Sequence, residues 1–181
     1  MEHEFGHVFG LNHSEGFDIM RASTPQPIAG GNTSEPYPDD ANGVRAMYGG
    51  SSTNLFASAQ KFSGGAIQAS DAPNTINVCV GSQISVTVTI GNNGTLSTSN
   101  VGFRVFLNNG PNSYSGGWNM FTGTATNPAG SYLTQTLSMT IPNVPKGFYW
   151  ILWQIDTGNS VSEYNESDNT VHSAMNVQVG C

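Results

Sequence analysis

Charge is scarce in this chain. Of 181 residues, five are Lys or Arg and twelve are Asp or Glu, and residues 72–155 hold no acid at all. The net charge is −7. Nucleic-acid affinity rests on clustered Lys and Arg that neutralise phosphates, so this balance argues against that class of partner. Long apolar runs are lacking too: no stretch approaches the ~20 residues that span a bilayer. No leader is read ahead of the first chemical motif, which opens at His3, and that carries no information by itself. The expectation is a fragment that starts inside a helix of a secreted or extracellular protein, its signal peptide lost upstream.

Cysteine is nearly absent. Only Cys79 and Cys181 occur. In a secreted chain an even count suggests one disulfide. It would close a loop of about 100 residues and contribute roughly 4–5 kcal/mol on the chain-entropy account. Two unpaired thiols is the other reading.

Ser, Thr, Asn and Gly take the place of charge, while aromatic and β-branched residues stay plentiful, so the chain is not a charged disordered tail. Its two parts differ. Residues 1–49 carry three of the four histidines and seven of the twelve acids, and Gly49-Gly50-Ser51-Ser52 marks a boundary. The expected organisation is a helical part at 1–50, a linker at 51–53 and a β domain at 54–181. Residues 1–9 read as a helix stopped by Gly10. A proline-rich loop follows, then a helix at about 40–48 capped by Asp39.

Beyond residue 53 the apolar period becomes two. Ile84, Val86, Val88 and Ile90 alternate with polar residues, as do Val101, Phe103, Val105 and Leu107, then Leu133, Leu137, Met139 and Ile141, and finally Val171, Met175, Val177 and Val179. One apolar face per run is the pattern of sandwich strands. With a first strand near 54–60, the expected fold is mainly β: an immunoglobulin-like β-sandwich of about seven strands behind a two-helix segment. One run, GFYWILWQID at 147–156, is apolar on both faces. It is either a central strand covered on both sides or an aromatic platform for a glycan or protein.

The stretch HEFGHVFGLNH at 3–13 carries the strongest chemical pattern. Residues four apart share a helix face, so His3 and His7 can bind one Zn²⁺. Gly10 permits the sharp turn that brings His13 to the same ion. Three neutral imidazoles leave one coordination position open for water. Glu4, rotated about 100° from His3, misses the metal and can act as general base on that water.

HEFGHVFGLNHSEGFDIM resembles the active-site region of matrixin-like metzincins, and PDDANGVRAMYG is similar to the last helix of their catalytic domain. The resemblance implies a zinc-dependent metalloendopeptidase acting on protein or peptide substrates. His3, His7 and His13 would be its metal ligands, Glu4 its base, and Met20 the Met-turn beneath the metal. Metzincins place a substrate-holding sheet before this helix, and none precedes it here. The chain is therefore expected to be an incomplete, weakly active or inactive piece of such an enzyme.

The later residues, through ISVTVTIGNNGT and GFYWILWQIDTGNSVSEYNESDNT, resemble the CARDB type, a bacterial cell-adhesion-related sandwich. That resemblance implies targeting or adhesion to a cell-surface or glycan partner. It also frames a second reading of the chain, a non-catalytic adhesion or carbohydrate/protein-binding module. Asp156, Glu163, Glu166 and Asp168 are the only acids after Asp71. They could gather the hard oxygens of a Ca²⁺ site, or simply line a solvated connection with Asn165 and Asn169 making local turn bonds. His172 reads as a surface residue.

Overall fold

Alternation in sequence becomes alternation in space. The structure, a computed structural model, describes residues 8, 50–58, 75–111 and 115–181, with backbone alone at 173–175. Eight strands run in order: β1 (Leu55–Ser58), β2 (Thr75–Val78), β3 (Gln83–Asn92), β4 (Thr98–Asn108), β5 (Trp118–Asn127), β6 (Ser131–Thr140), β7 (Gly147–Ile155) and β8 (Thr170–Val179). They form a three-stranded sheet, β1-β3-β6, and a five-stranded sheet, β2-β8-β7-β4-β5. Apart from Val8, which is helical and exposed, the helices expected within 1–50 lie outside the described residues.

The apolar faces of the two sheets meet. Ile84, Val86, Val88 and Ile90 of β3 with Leu137 and Met139 of β6 pack against Val101, Phe103, Val105 and Leu107 of β4 and Tyr149, Ile151, Trp153 and Ile155 of β7. Removing each such side chain from water stabilises the fold by about 1.5–3 kcal/mol. Trp153 buries its ring and still places its one polar atom, since Nε1 donates to the Thr89 carbonyl at 3.2 Å. Leu133 departs from the expected pattern and is 45% exposed, because β6 is the outer strand of its sheet.

Among the described residues eight strands stand where about seven were expected for the whole domain. β2 has only four residues, TINV, too few for a period to show, and it pairs in parallel with β8 through Thr75–Val78 against Asn176–Val179. Just beyond that pair Cys79 and Cys181 are joined by a disulfide, their Cα atoms 4.8 Å apart and the residues separated by 102 positions. The bond ties the short outer strand to the chain's last residue.

Candidate functional site

β7 ends at Ile155, and the next residue, Asp156, takes a left-handed conformation, φ 49°, and is 4% exposed. Its carboxylate organises the turn that follows. Oδ1 accepts from the Ser160 N–H at 2.9 Å and the Ser160 hydroxyl at 2.8 Å, and Oδ2 accepts from the Val161 N–H at 2.9 Å. The turn then brings Glu163 and Glu166 back toward Asp156. One carboxylate oxygen from each of the three lies within 4.8 Å of the others.

Glu163 faces inward. Its Oε2 accepts the backbone N–H of Leu55, and its Oε1 accepts from Asn169 Nδ2 at 2.9 Å. Glu166 is exposed and accepts the Glu163 N–H at 3.1 Å. Burial penalises the charged form of Glu163, and the charges of Glu166 and Asp168 add to that. The hydrogen bonds from Asn169 and Leu55 offset only part of it, so the carboxyl is pushed up to about 7. Asp168, the fourth acid of the sequence cluster, does other work. Its Oδ2 accepts from Asn54 Nδ2 at 3.0 Å, and its carbonyl accepts the Ala57 N–H at 2.9 Å.

The acidic segment thus clamps the chain where it enters the sandwich. The Tyr164 N–H donates to the Thr53 carbonyl at 2.9 Å and the Asn165 N–H to Asn54 Oδ1 at 2.8 Å. On the opposite side, the Asn93 N–H donates to the Asn54 carbonyl and the Thr95 N–H to the Ser52 carbonyl, each at 2.7 Å. Gly94 lies flush on this strap, and a Cβ there would collide with the backbone of Ser52 and Thr53. Ser52 and Thr53, expected as linker, are hydrogen-bonded into the domain. Sequence reasoning missed Asn54 in this role, for its partners lie more than 100 positions away. Asn165 does make the expected local turn, its Oδ1 accepting from the Ser167 N–H at 3.0 Å and hydroxyl at 2.6 Å. Asn169 instead reaches the carboxylates.

A second feature lies on the outer face of the five-stranded sheet. The two-faced β7 presents Phe148, Trp150 and Leu152 there. Leu152 is fully buried and Phe148 is 42% exposed, so the strand is covered at its middle and open at its start. Phe148 meets Trp150 edge to face at 5.9 Å, and Trp150 meets His172 of β8 at 5.1 Å. Nearby, Phe106 lies wholly buried beneath Arg104, whose guanidinium carbon sits 4.1 Å from the ring centre. Arg104 Nε donates to Gln154 Oε1 at 3.1 Å, which holds it in place over the ring. His172, expected on a polar surface, belongs to this aromatic row.

His3, Glu4, His7, His13 and Met20 lie outside the described residues, so the zinc assignment rests on their spacing alone. No helix among the described residues is long and apolar enough to cross a membrane.

Two facing, mainly antiparallel sheets, a buried tryptophan in their core and a strand-connecting acidic turn define an immunoglobulin-like β-sandwich module. The chain belongs to the CARDB family, whose model matches residues 67–173. Among solved structures it is similar to the CARDB domain of a Pyrococcus furiosus protein, crystallised in complex with di-metal ions. The two share 20% identity at a TM-score of 0.50, over 72% of this chain and 96% of that one. The solution NMR structure of a CARDB domain from the same organism gives 21% identity and a TM-score of 0.49, over 72% and 97%. At such identities the likeness is one of fold. No curated protein matches the chain.

Proposed function

We propose that the sandwich is a non-catalytic adhesion or targeting module that binds a glycan or protein through the outer face of β7 and β8. The observation that carries this reading is the row Phe148–Trp150–His172, which is part-exposed at Phe148 on a sheet face. Aromatic rings offer large, rigid contact area at little entropic cost, and they stack on sugar rings and apolar protein surfaces alike. The Cys79–Cys181 disulfide suits an oxidising, extracellular setting. Glycan arrays and immobilised glycoproteins probed with the wild-type chain should return a partner that Phe148→Ala and Trp150→Ala each weaken about tenfold, roughly 1.4 kcal/mol. Equal binding by wild type and both variants would remove the aromatic row from the reading.

A second reading concerns residues 1–49 and is favoured by one sequence observation, the His3-Glu4-His7-Gly10-His13 spacing. In that reading the complete protein is a zinc metalloendopeptidase, and the sandwich delivers it to its substrate. Zn²⁺ held by His3, His7 and His13 would supply Lewis acidity, Glu4 would take the proton from the attacking water, and Met20 would pack below. Elemental analysis should find one equivalent of zinc in the wild-type chain and none after His7→Ala. Glu4→Gln should keep the metal and lose chelator-sensitive peptide cleavage in the complete protein. A metal-free wild type would end this reading.

A further inference from the structure

The register of β7 on β8 sets two aromatic rings against two carboxamides. Phe148 pairs with Gln178, and Trp150 pairs with Asn176. β2 continues the pattern on the far side of β8, with Asn77 beside Gln178 and Thr75 beside Asn176. Val177 and Val179 belong to the core, and Ile76 and Val78 pack against it. By strand alternation the residues between them stand on the outer face. Neighbouring strands lie about 4.7–4.9 Å apart, so the three rows together span about 10 Å. One member of this face has no structural explanation. Asn176 is 4% exposed, and its Oδ1 is buried with no hydrogen-bond partner. Buried amide oxygens are rarely left in that state, because each one costs stability. Its direct neighbour across the ladder is Trp150, the centre of the aromatic row.

We propose that this patch binds a neutral glycan, with a pyranose ring stacked on Trp150 and Phe148 and its hydroxyls bonded to the carboxamides of Asn176 and Gln178. The inference rests on the reading of this face as a binding surface and names its ligand. A pyranose has an apolar C–H face, which suits an aromatic ring, and a rim of hydroxyls that both donate and accept. A carboxamide offers an acceptor and two donors, so it can take two neighbouring hydroxyls at once. An apolar protein surface laid on the rings would leave Asn176 Oδ1 unpartnered. A charged ligand would find no counter-charge in these strands, since β2, β7 and β8 contain no Asp, Glu, Lys or Arg. A charge covered without a partner is costly. Trp150 and Gln178 are half-buried, and the rotamer changes that are ordinary on binding give a hydroxyl access to Asn176 between them.

The test is calorimetric titration of the wild-type chain with cellohexaose, maltohexaose, mannohexaose and chitohexaose, and with hexagalacturonate as the charged control. Saturable binding of at least one neutral oligosaccharide is expected, with the uronate about tenfold weaker or silent. Asn176→Leu separates a ligand role from a structural one. Leucine keeps the shape and removes an unpartnered polar group, so the variant should melt within about 3 °C of wild type or higher. Its sugar affinity should nevertheless fall about tenfold. Should it melt lower, Gln178→Ala carries the decision, since it must also weaken binding. No binding of any neutral sugar at millimolar concentration overturns the proposal, as does a preference for the uronate. Affinity unchanged in Asn176→Leu, or in Gln178→Ala where that variant decides, overturns it too. A protein partner lost in Phe148→Ala and Trp150→Ala but kept in Asn176→Leu would overturn the glycan and leave the aromatic surface standing. Sugar binding unchanged in both aromatic variants would sink both.

Discussion

Asp156→Ala should destabilise the sandwich by about 3–5 kcal/mol. Three donors converge on this one buried carboxylate, and hydrogen bonds to a charged acceptor contribute roughly 1.5–3 kcal/mol each, though not additively. The backbone adds to the loss. At φ 49° alanine gains nothing for the left-handed conformation, which costs an L-residue roughly 1–2 kcal/mol, whereas Asp and Asn tolerate it. Domains of this size hold only about 5–15 kcal/mol in total, so much of the stability would go. Two further variants separate the causes. Asp156→Gly relieves the conformational strain and loses only the bonds, so it should be milder than Ala. Asp156→Asn keeps an acceptor for Ser160 but turns an amide toward the Val161 N–H, and should fall between wild type and Ala. Urea unfolding followed by Trp fluorescence reads all three. A loss below about 1 kcal/mol for Asp156→Ala would mean that the turn is held by something other than this carboxylate.

The role of Asp156 also marks where the sequence stops being legible. The four runs with clean alternation, in β3, β4, β6 and β8, announce themselves because each carries one apolar face. β5 does not, and its register explains why. Val105 pairs with Phe121 but Phe106 pairs with Asn119, so Met120 is an extra residue bulged out of the ladder. That insertion puts Met120 and Phe121 side by side and erases the period. The acidic stretch was visible as four carboxylates in thirteen residues, yet nothing local told Asp156, which organises a turn, from Glu163, which meets Leu55, or Asp168, which meets Asn54. Those partners arrive from β1 and the segment before it, across more than 100 residues. Long-range pairing of polar groups leaves no periodic trace. The aromatic face was half legible: two-sided apolarity of β7 was plain, but Leu152 ending buried and Phe148 open depends on what neighbouring strands carry. The zinc motif is the opposite case, since its spacing is entirely local in the sequence.

Removing the disulfide should cost about 4–5 kcal/mol. The cross-link spans 102 positions, and a loop of about 100 residues restricts the unfolded chain by roughly 4.7 kcal/mol at 25 °C on the chain-entropy model. The native geometry shows which element suffers. β2 hydrogen-bonds to β8 alone, has four residues, and contributes only Ile76 and Val78 to the core, both partly exposed. The turn after Cys79 is anchored independently, because the Ser82 N–H donates to the Cys79 carbonyl at 3.0 Å and the Gly81 N–H to the Ile141 carbonyl at 2.9 Å. Across the parallel pair the Gly180 N–H reaches the Val78 carbonyl at 3.1 Å. These bonds keep the ends near each other in the folded state, so the cross-link has little native structure left to impose and acts mainly on the unfolded one. A Cys79→Ser/Cys181→Ser double variant should therefore melt roughly 10–20 °C lower, with core strands intact by circular dichroism. Its urea m-value should rise, since an unfolded chain without the cross-link exposes more surface. A melting point within about 2 °C of wild type, with thiol titration confirming that the parent has no free cysteine, would show that the parallel pair holds without help. A large drop with an unchanged m-value would instead place the effect in the folded β2–β8 edge.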